Sequence, residues 1–213
     1  MPTKKTAKPK KERSPEWEAA KEEQHRLKRF AILRAAAKSL AERGYHGTSL
    51  SGVAKRLGMT NGALYYYFSS KEEMAYECLV ATQEQTRECL ESAETEEKGL
   101  QKVEAFVRYI IVASRDNPTW VHPGEPFFLK AAMRKSIREA TRKNHKQLAK
   151  FIEDGLKDRS IGLCEPRTTA LLILGSLVFL HNWVPNIGGQ PPEGIAKIAA
   201  NFVSRSLKSP LSP

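Results

Sequence analysis

Between residues 48 and 74 three steric demands fall at fixed spacing, and few folds meet all three. Counting from Leu50, the fifth residue is Ala54, the ninth Gly58 and the fifteenth Leu64. Two helices crossing at a tight turn need such side chains. A small residue lets the second helix approach, a glycine takes the positive φ that reverses the chain, and an apolar residue plugs the crossing. Thr48 stands where its hydroxyl can cap a helix over 49–57, and Thr60 where it can cap the next. Ser70 with Glu73 three residues on reads as a capping box opening a long fourth helix. The segment is expected to be a helix-turn-helix, whose second helix fits the major groove of DNA.

Charge points the same way. The chain has 213 residues and a formal net charge of +11. Residues 26–71 hold nine Lys or Arg against a single acid, Glu42, and so carry +8. Residues 1–25 carry +2, leaving +1 for the other 142. A basic block that coincides with a helix-turn-helix is the footprint of a phosphate-backbone binder, and a merely solvated charged face fits it badly. Cys78, Cys89 and Cys164 are odd in number and widely spaced, which predicts reduced thiols and a cytoplasmic, soluble protein. The scattered histidines offer no metal-ligand spacing, no Gly-rich loop cradles phosphate, and no Ser/His/Asp arrangement stands out. No metal, no cofactor and no enzyme are expected. The longest apolar run, from Ala170 to Leu180, is too short to span a bilayer. The basic N-terminus has no apolar segment behind it and is not a signal peptide.

Residues 1–22 are Lys-rich with almost no apolar side chains, and are expected to be a disordered basic arm. Such an arm can reach a minor groove or serve as a solubilising tail. The first helix is expected over 24–43, stopping at Gly44, with Leu27, Phe30, Ala31, Ile32, Ala35, Ala36 and Leu40 on its buried face. On the third helix Leu64 and Phe68 point inward, against Val53 and Leu57. Asn61 with Tyr65, and Gly62 with Tyr66, lie four apart on the other side. Asn61 can pair with an adenine edge and Gly62 permits close approach to a base. Tyr65 and Tyr66 offer hydroxyls to phosphates. Lys71 opposes the dipole of the fourth helix, which predicts an outside anion as its partner. Tyr65 is the ring expected to face outward, and packing competes for Tyr66 and Tyr67.

These residues resemble the TetR family of bacterial transcriptional regulators. The likeness runs from about Phe30 to Met74 and centres on GMTNGALYYYFSSKEEM, a glycine turn and short recognition helix ending LYYYF-x-x-K-E. The resemblance implies phosphate contacts at Thr48, Thr60, Tyr66, Tyr67 and Lys71, and base contacts at Asn61, Gly62 and Tyr65. Ser51 lies where some members place a base-reading side chain. Gly52 departs from the usual polar helix former, and Leu40 stands for the usual Phe. The implied fold is all-α: a three-helix DNA-binding domain, here 23–71, then a larger effector-binding and dimerisation domain, 72–213. Helical patterns at about 70–93, 97–115, 125–158, 166–184 and 192–208 agree with it, broken by Pro/Gly-rich stretches.

Within the second domain, Thr169 to Trp183 is apolar nearly all round, with Gly175 and Ser176 small. Ile195, Ile198, Ala199 and Phe202 form a stripe on the last helix. These faces can pack inside one subunit or form a four-helix bundle between two copies; a palindromic DNA partner favours the homodimer. The segment from Ile173 to Leu207 resembles, less specifically, a TetR subgroup controlling fatty-acid, steroid or other acyl-CoA catabolism, implying a lipid or acyl-CoA effector. Val103, Phe106, Val107, Ile110 and Ile111, facing Trp120, Phe127, Phe128, Met133 and Phe151, are candidates for either an effector pocket or plain core, with Trp183 nearby. Lys130, Arg134, Arg138, Arg142 and Lys146 form a basic ridge that is either a head-group site or a solvated face. The functional expectation is a ligand-responsive repressor released from a palindromic operator by a small hydrophobic or acyl-thioester effector. The alternative is an architectural, effector-independent DNA-binding dimer.

Overall fold

Ser14, Pro15 and the acids behind them start the first helix well before Gln24. In the computed structural model the described residues are 14–116, 126–183 and 191–209, with the backbone alone at 115–116, 178–183 and 192. Helix α1 spans Pro15–Gly47. Ser14 caps it, proline stands at its first position, and Glu16 and Glu18 complement the dipole of its first turn. The expected arm is therefore corrected: residues 15–22 are helical, while residues 1–13 lie outside the described residues. Inside α1, Gly44 takes φ 66° and ends the helical body where expected.

Next come α2, Leu50–Arg56, and α3, Asn61–Tyr65, joined at Gly58, whose φ of 64° is the reversal anticipated for it. A Cβ at Gly58 would meet no atom within 4 Å, so only backbone conformation calls for glycine there. Helix α4 runs Lys71–Ala93, α5 Gly99–Asp116, α6 Ala131–Lys157, α7 Pro166–Trp183 and α8 Pro192–Leu207. Among the described residues the single β-type pairing is an isolated antiparallel bridge, Ile161 to Lys208. Residues 126–130, expected to open the sixth helix, form a turn instead.

Two apolar cores form, and α4 enters both. The first joins Ile32, Ala36 and Leu40 of α1, Val53 and Ala54 of α2, Leu64 and Phe68, and Met74 to Leu79 at the start of α4. The second joins Cys89, Leu90 and Ala93 at the far end of α4 with α5, α6, α7 and α8. The second domain does not stay apart from the first. Leu129 and Ile137 are buried in the first core, and Phe128 and Met133 pack against it. A boundary at residue 71 thus follows the helices but not the packing. Leu27, Phe30 and Ala31 were expected to be buried and are exposed, because the early turns of α1 project beyond that core. Burial pushes the Cys78 and Cys89 thiols up to about 12, so both stay protonated and unreactive at neutral pH.

Candidate nucleic-acid interface

The helix-turn-helix owes its geometry to a series of local caps. Ser49, not Thr48, caps α2, its Oγ accepting from the Gly52 N–H at 3.1 Å. Thr48 is only 2% exposed; its hydroxyl donates to Gly44 O at 2.9 Å and so ties the end of α1 to the turn. Its placement does not offer a hydroxyl to an outside phosphate. Thr60 caps α3 as expected, accepting from the Ala63 N–H at 3.2 Å. Ser70 caps α4, accepting from the Glu73 N–H at 3.0 Å. The Glu73 carboxylate reaches back one residue further than a capping box requires, accepting from the N–H and the hydroxyl of Ser69. Those hydrogen bonds hold its carboxyl below the usual range. Their contribution is therefore present above that range and lost as the pH falls through the lowered value.

These caps set α3 with one face inward and one outward. Leu64 and Phe68 are fully buried against α2. Asn61, Gly62 and Tyr65 are exposed together, Tyr65 at 55% and Tyr66 at 70%. Ser51 is exposed on α2 beside Ser49, the two hydroxyls 3.3 Å apart. No atom would lie within 4 Å of a Cβ on Gly62, leaving that patch of backbone open to a groove. Tyr67 is half-buried and stacks on His25, the ring centroids 4.7 Å apart, with Tyr66 edge-on to the same imidazole.

Lys71 departs from expectation. Its ammonium donates to Tyr45 O at 3.0 Å and lies 4.2 Å from the centre of the Tyr45 ring. The partner of this cation is the end of α1 rather than an outside anion. The opposite face of Tyr45 stacks on Phe128, the rings 3.8 Å apart and 11° from parallel. Tyr45 is thus held between the start of α4 and the turn before α6. Arg29 has no counterpart in the sequence reading. It donates to Tyr67 O at 3.2 Å, pairs with Glu77 at 3.1 Å and covers the Phe68 ring, so that α1 grips both α3 and α4. Glu42, the lone acid of the basic block, pairs with Arg56 at 2.8 Å, while Arg34, Lys38, Arg43 and Lys55 remain exposed.

The sequence matches the family model "Bacterial regulatory proteins, tetR family" over residues 32–78, and that of the tetracyclin repressor-like C-terminal domain over residues 96–207. The chain belongs to the TetR family. It is a helix-turn-helix transcriptional regulator, and its relatives are regulators rather than enzymes. It is 31% identical over 148 residues to the transcriptional regulator LmrA of Bacillus subtilis, covering 65% of this chain and 75% of LmrA. It is 26% identical over 184 residues to the B. subtilis regulator YhgD, covering 84% and 95%. Its fold matches AibR, solved in complex with isovaleryl coenzyme A and operator DNA, with a TM-score of 0.70 at 22% identity, covering 82% of this chain and 97% of that one.

The effector-side residues of this TetR-family chain separate into groups. Phe106, Val107, Ile110 and Phe151 are fully buried together in the second core. Phe127 is exposed and Phe128 sits on Tyr45, so neither joins them. Trp120 and the Trp183 side chain lie outside the described residues. Gln85, buried on α4, donates its side-chain N–H to Ala113 O at 2.8 Å and leaves its carbonyl oxygen without a partner among the described residues. The basic ridge divides as well. Lys130 pairs with Glu72 at 3.8 Å, and Arg134 donates to the carbonyls of Phe127 and Leu129, whereas Arg142 and Lys146 border a groove on α6. No helix of the described residues is long and apolar enough to cross a membrane.

Proposed function

We propose that this TetR-family regulator is a cytoplasmic homodimeric repressor, released from a palindromic operator by a small hydrophobic or acyl-thioester effector. The observation that carries this reading is the burial of Leu129 and Ile137 in the core of the DNA-binding head, with Phe128 packed against it. A ligand that moves α6 or the turn before it must repack that core, and so re-aim α3. Coupling of this kind is typically on the order of 1–3 kcal/mol. Two further features support the reading. The buried Gln85 carbonyl oxygen inside the second domain, unpartnered among the described residues, suits a ligand bearing a hydrogen-bond donor. AibR, of the same fold, is in complex with an acyl-coenzyme A thioester and operator DNA.

In this reading Asn61, Gly62 and Tyr65 reach base edges, with Ser51 beside them. Thr60 and Tyr66 meet phosphates, and Tyr67 and Lys71 act chiefly by holding α3 and α4 in place. Tyr65→Ala is expected to weaken operator binding about tenfold, since a base contact is worth about 1–3 kcal/mol. Its exposure means that the melting temperature should not change. Fluorescence anisotropy with labelled operator checks the first point and calorimetry the second. Phe128→Ala is expected to destabilise the head by about 2 kcal/mol, as a half-buried aromatic does. It should also blunt release by effector more than it weakens DNA binding. An effector response equal to that of the wild type would sink the coupling route.

The reading as a whole is tested by retaining genomic fragments on the purified protein at physiological salt. Enrichment of a few sites that share a palindrome is the expected result. Diffuse retention abolished by modest added salt would mean charge-driven, non-specific binding and would refute it.

A further inference from the structure

The cations of α6 divide by partner. Lys150 pairs with Glu94 at 3.2 Å, and Lys157 and Lys102 share Asp154. Arg142, Lys143 and Lys146 have no ionic partner among the described residues. All three are exposed and border one groove of about 1140 Å³. Arg167, in the first turn of α7, faces the same groove. The His145 ring fixes that end by hydrogen-bonding Arg167 O at 2.8 Å. Three uncompensated cations within five residues repel one another, and an anion between them removes the repulsion.

The groove also limits what that anion can be. From Arg142 to Lys150 the helix advances about 12 Å at its usual rise. Beyond this stretch the lining gains Glu153 and Asp154, so the unbroken run of cations ends there. A run this short suits a small molecule better than a duplex or a long acidic chain. Ala149, the one apolar lining residue, is itself buried, so the groove presents no hydrophobic side chain to an acyl chain. The cations suit phosphates, for which an arginine fork flanked by lysine point charges is well shaped.

We propose that the α6 groove, through Arg142, Lys143, Lys146 and Arg167, binds a small molecule carrying at least two phosphate groups. This deepens the proposed function, because the nucleotide end of an acyl-coenzyme A carries such phosphates, and only the link to operator release rests on that reading. The experiment is calorimetric titration of the full chain with coenzyme A, adenosine 3′,5′-bisphosphate and inorganic pyrophosphate at physiological salt. Saturable binding is expected. Arg142→Ala with Lys146→Ala should weaken it by at least about tenfold, and Arg142→Lys with Lys146→Arg should keep it within about twofold. Coenzyme A binding more tightly than pyrophosphate assigns the site to the carrier; equal affinity assigns it to free phosphates. Absence of saturable binding, or binding unchanged in the alanine pair, overturns the proposal. Loss of operator retention in that pair also overturns it, since the surface would then be a DNA contact. Failure to recover a palindrome from genomic fragments would instead count against the regulator reading and leave the groove result standing.

Discussion

Gly99→Ala is expected to destabilise the C-terminal domain by about 3 kcal/mol or more, the range of a severe overpacking change. A Cβ at Gly99 would lie 2.0 Å from the backbone N of Gly155, 2.4 Å from its Cα and 2.5 Å from Phe151 O. All three atoms are α6 backbone and cannot swing aside as a side-chain tip would. Nor can α5 slide away. The Gly99 N–H donates to the Asp158 carboxylate at 2.8 Å and the Leu100 N–H to Ser160 Oγ at 3.1 Å, pinning the start of α5 to the end of α6. Burial raises the Asp158 carboxyl, but hydrogen bonds from Ser160 and the Gly99 N–H outweigh it and leave it below its ordinary value. That contribution is present above the ordinary carboxylate range and disappears as the pH falls through the lowered value. Urea denaturation of Gly99→Ala at neutral pH measures the effect. A midpoint equal to that of the wild type would refute the close approach of α5 to α6.

The second large effect is expected at the outer faces of α7 and α8. Leu171, Leu172, Ile198 and Phe202 are exposed on the single chain, Leu172 at 69% and Phe202 at 74%, while Ile195 and Ala170 turn inward to the core. The expected stripe is thus split. Ile195 serves the subunit, Ala199 is half-buried, and Ile198 and Phe202 stay on the outer face. Gly175 has no atom within 4 Å of a Cβ position, so a second helix can approach there. Phe202→Asp would place two uncompensated carboxylates in the proposed interface, a cost of several kcal/mol per ion. Dimer affinity is expected to fall by at least about a thousandfold. Operator binding should fall with it, and the single chain should stay folded. Sedimentation equilibrium decides the matter; a variant still dimeric at micromolar concentration would place the interface elsewhere.

Much of this architecture could be read from sequence because its punctuation is local. Gly58, Thr60 and Ser70 act on residues within a turn of themselves, and Pro166 and Pro192 open their helices directly. The misreadings share a cause, namely that the deciding contact is remote or that two neighbours were equally able. Thr48 and Ser49 both carry cap hydroxyls, and the burial of Thr48 against Ser39 and Gly44 leaves the cap to Ser49. Lys71 was expected to face an outside anion because a cation in the first turn opposes the dipole of its own helix. Its partner is a carbonyl and ring 26 residues earlier. Phe128 looked like a pocket residue because no periodicity tells a loop aromatic which domain it will join. Ser14-Pro15-Glu16 was a legible start signal, outweighed by the Lys-rich composition before it.

The brevity of α3 bears on how such a protein finds its place in a genome. Five residues, with Asn61, Gly62 and Tyr65 facing out, can interrogate only about three or four base pairs. Two copies would then inspect at most about eight, a word that recurs by chance roughly every 65,000 positions or more often, too often to single out one promoter among millions of competing sites. The missing information has to reside in base pairs the protein never touches, through their stiffness and groove width, or in several words placed side by side.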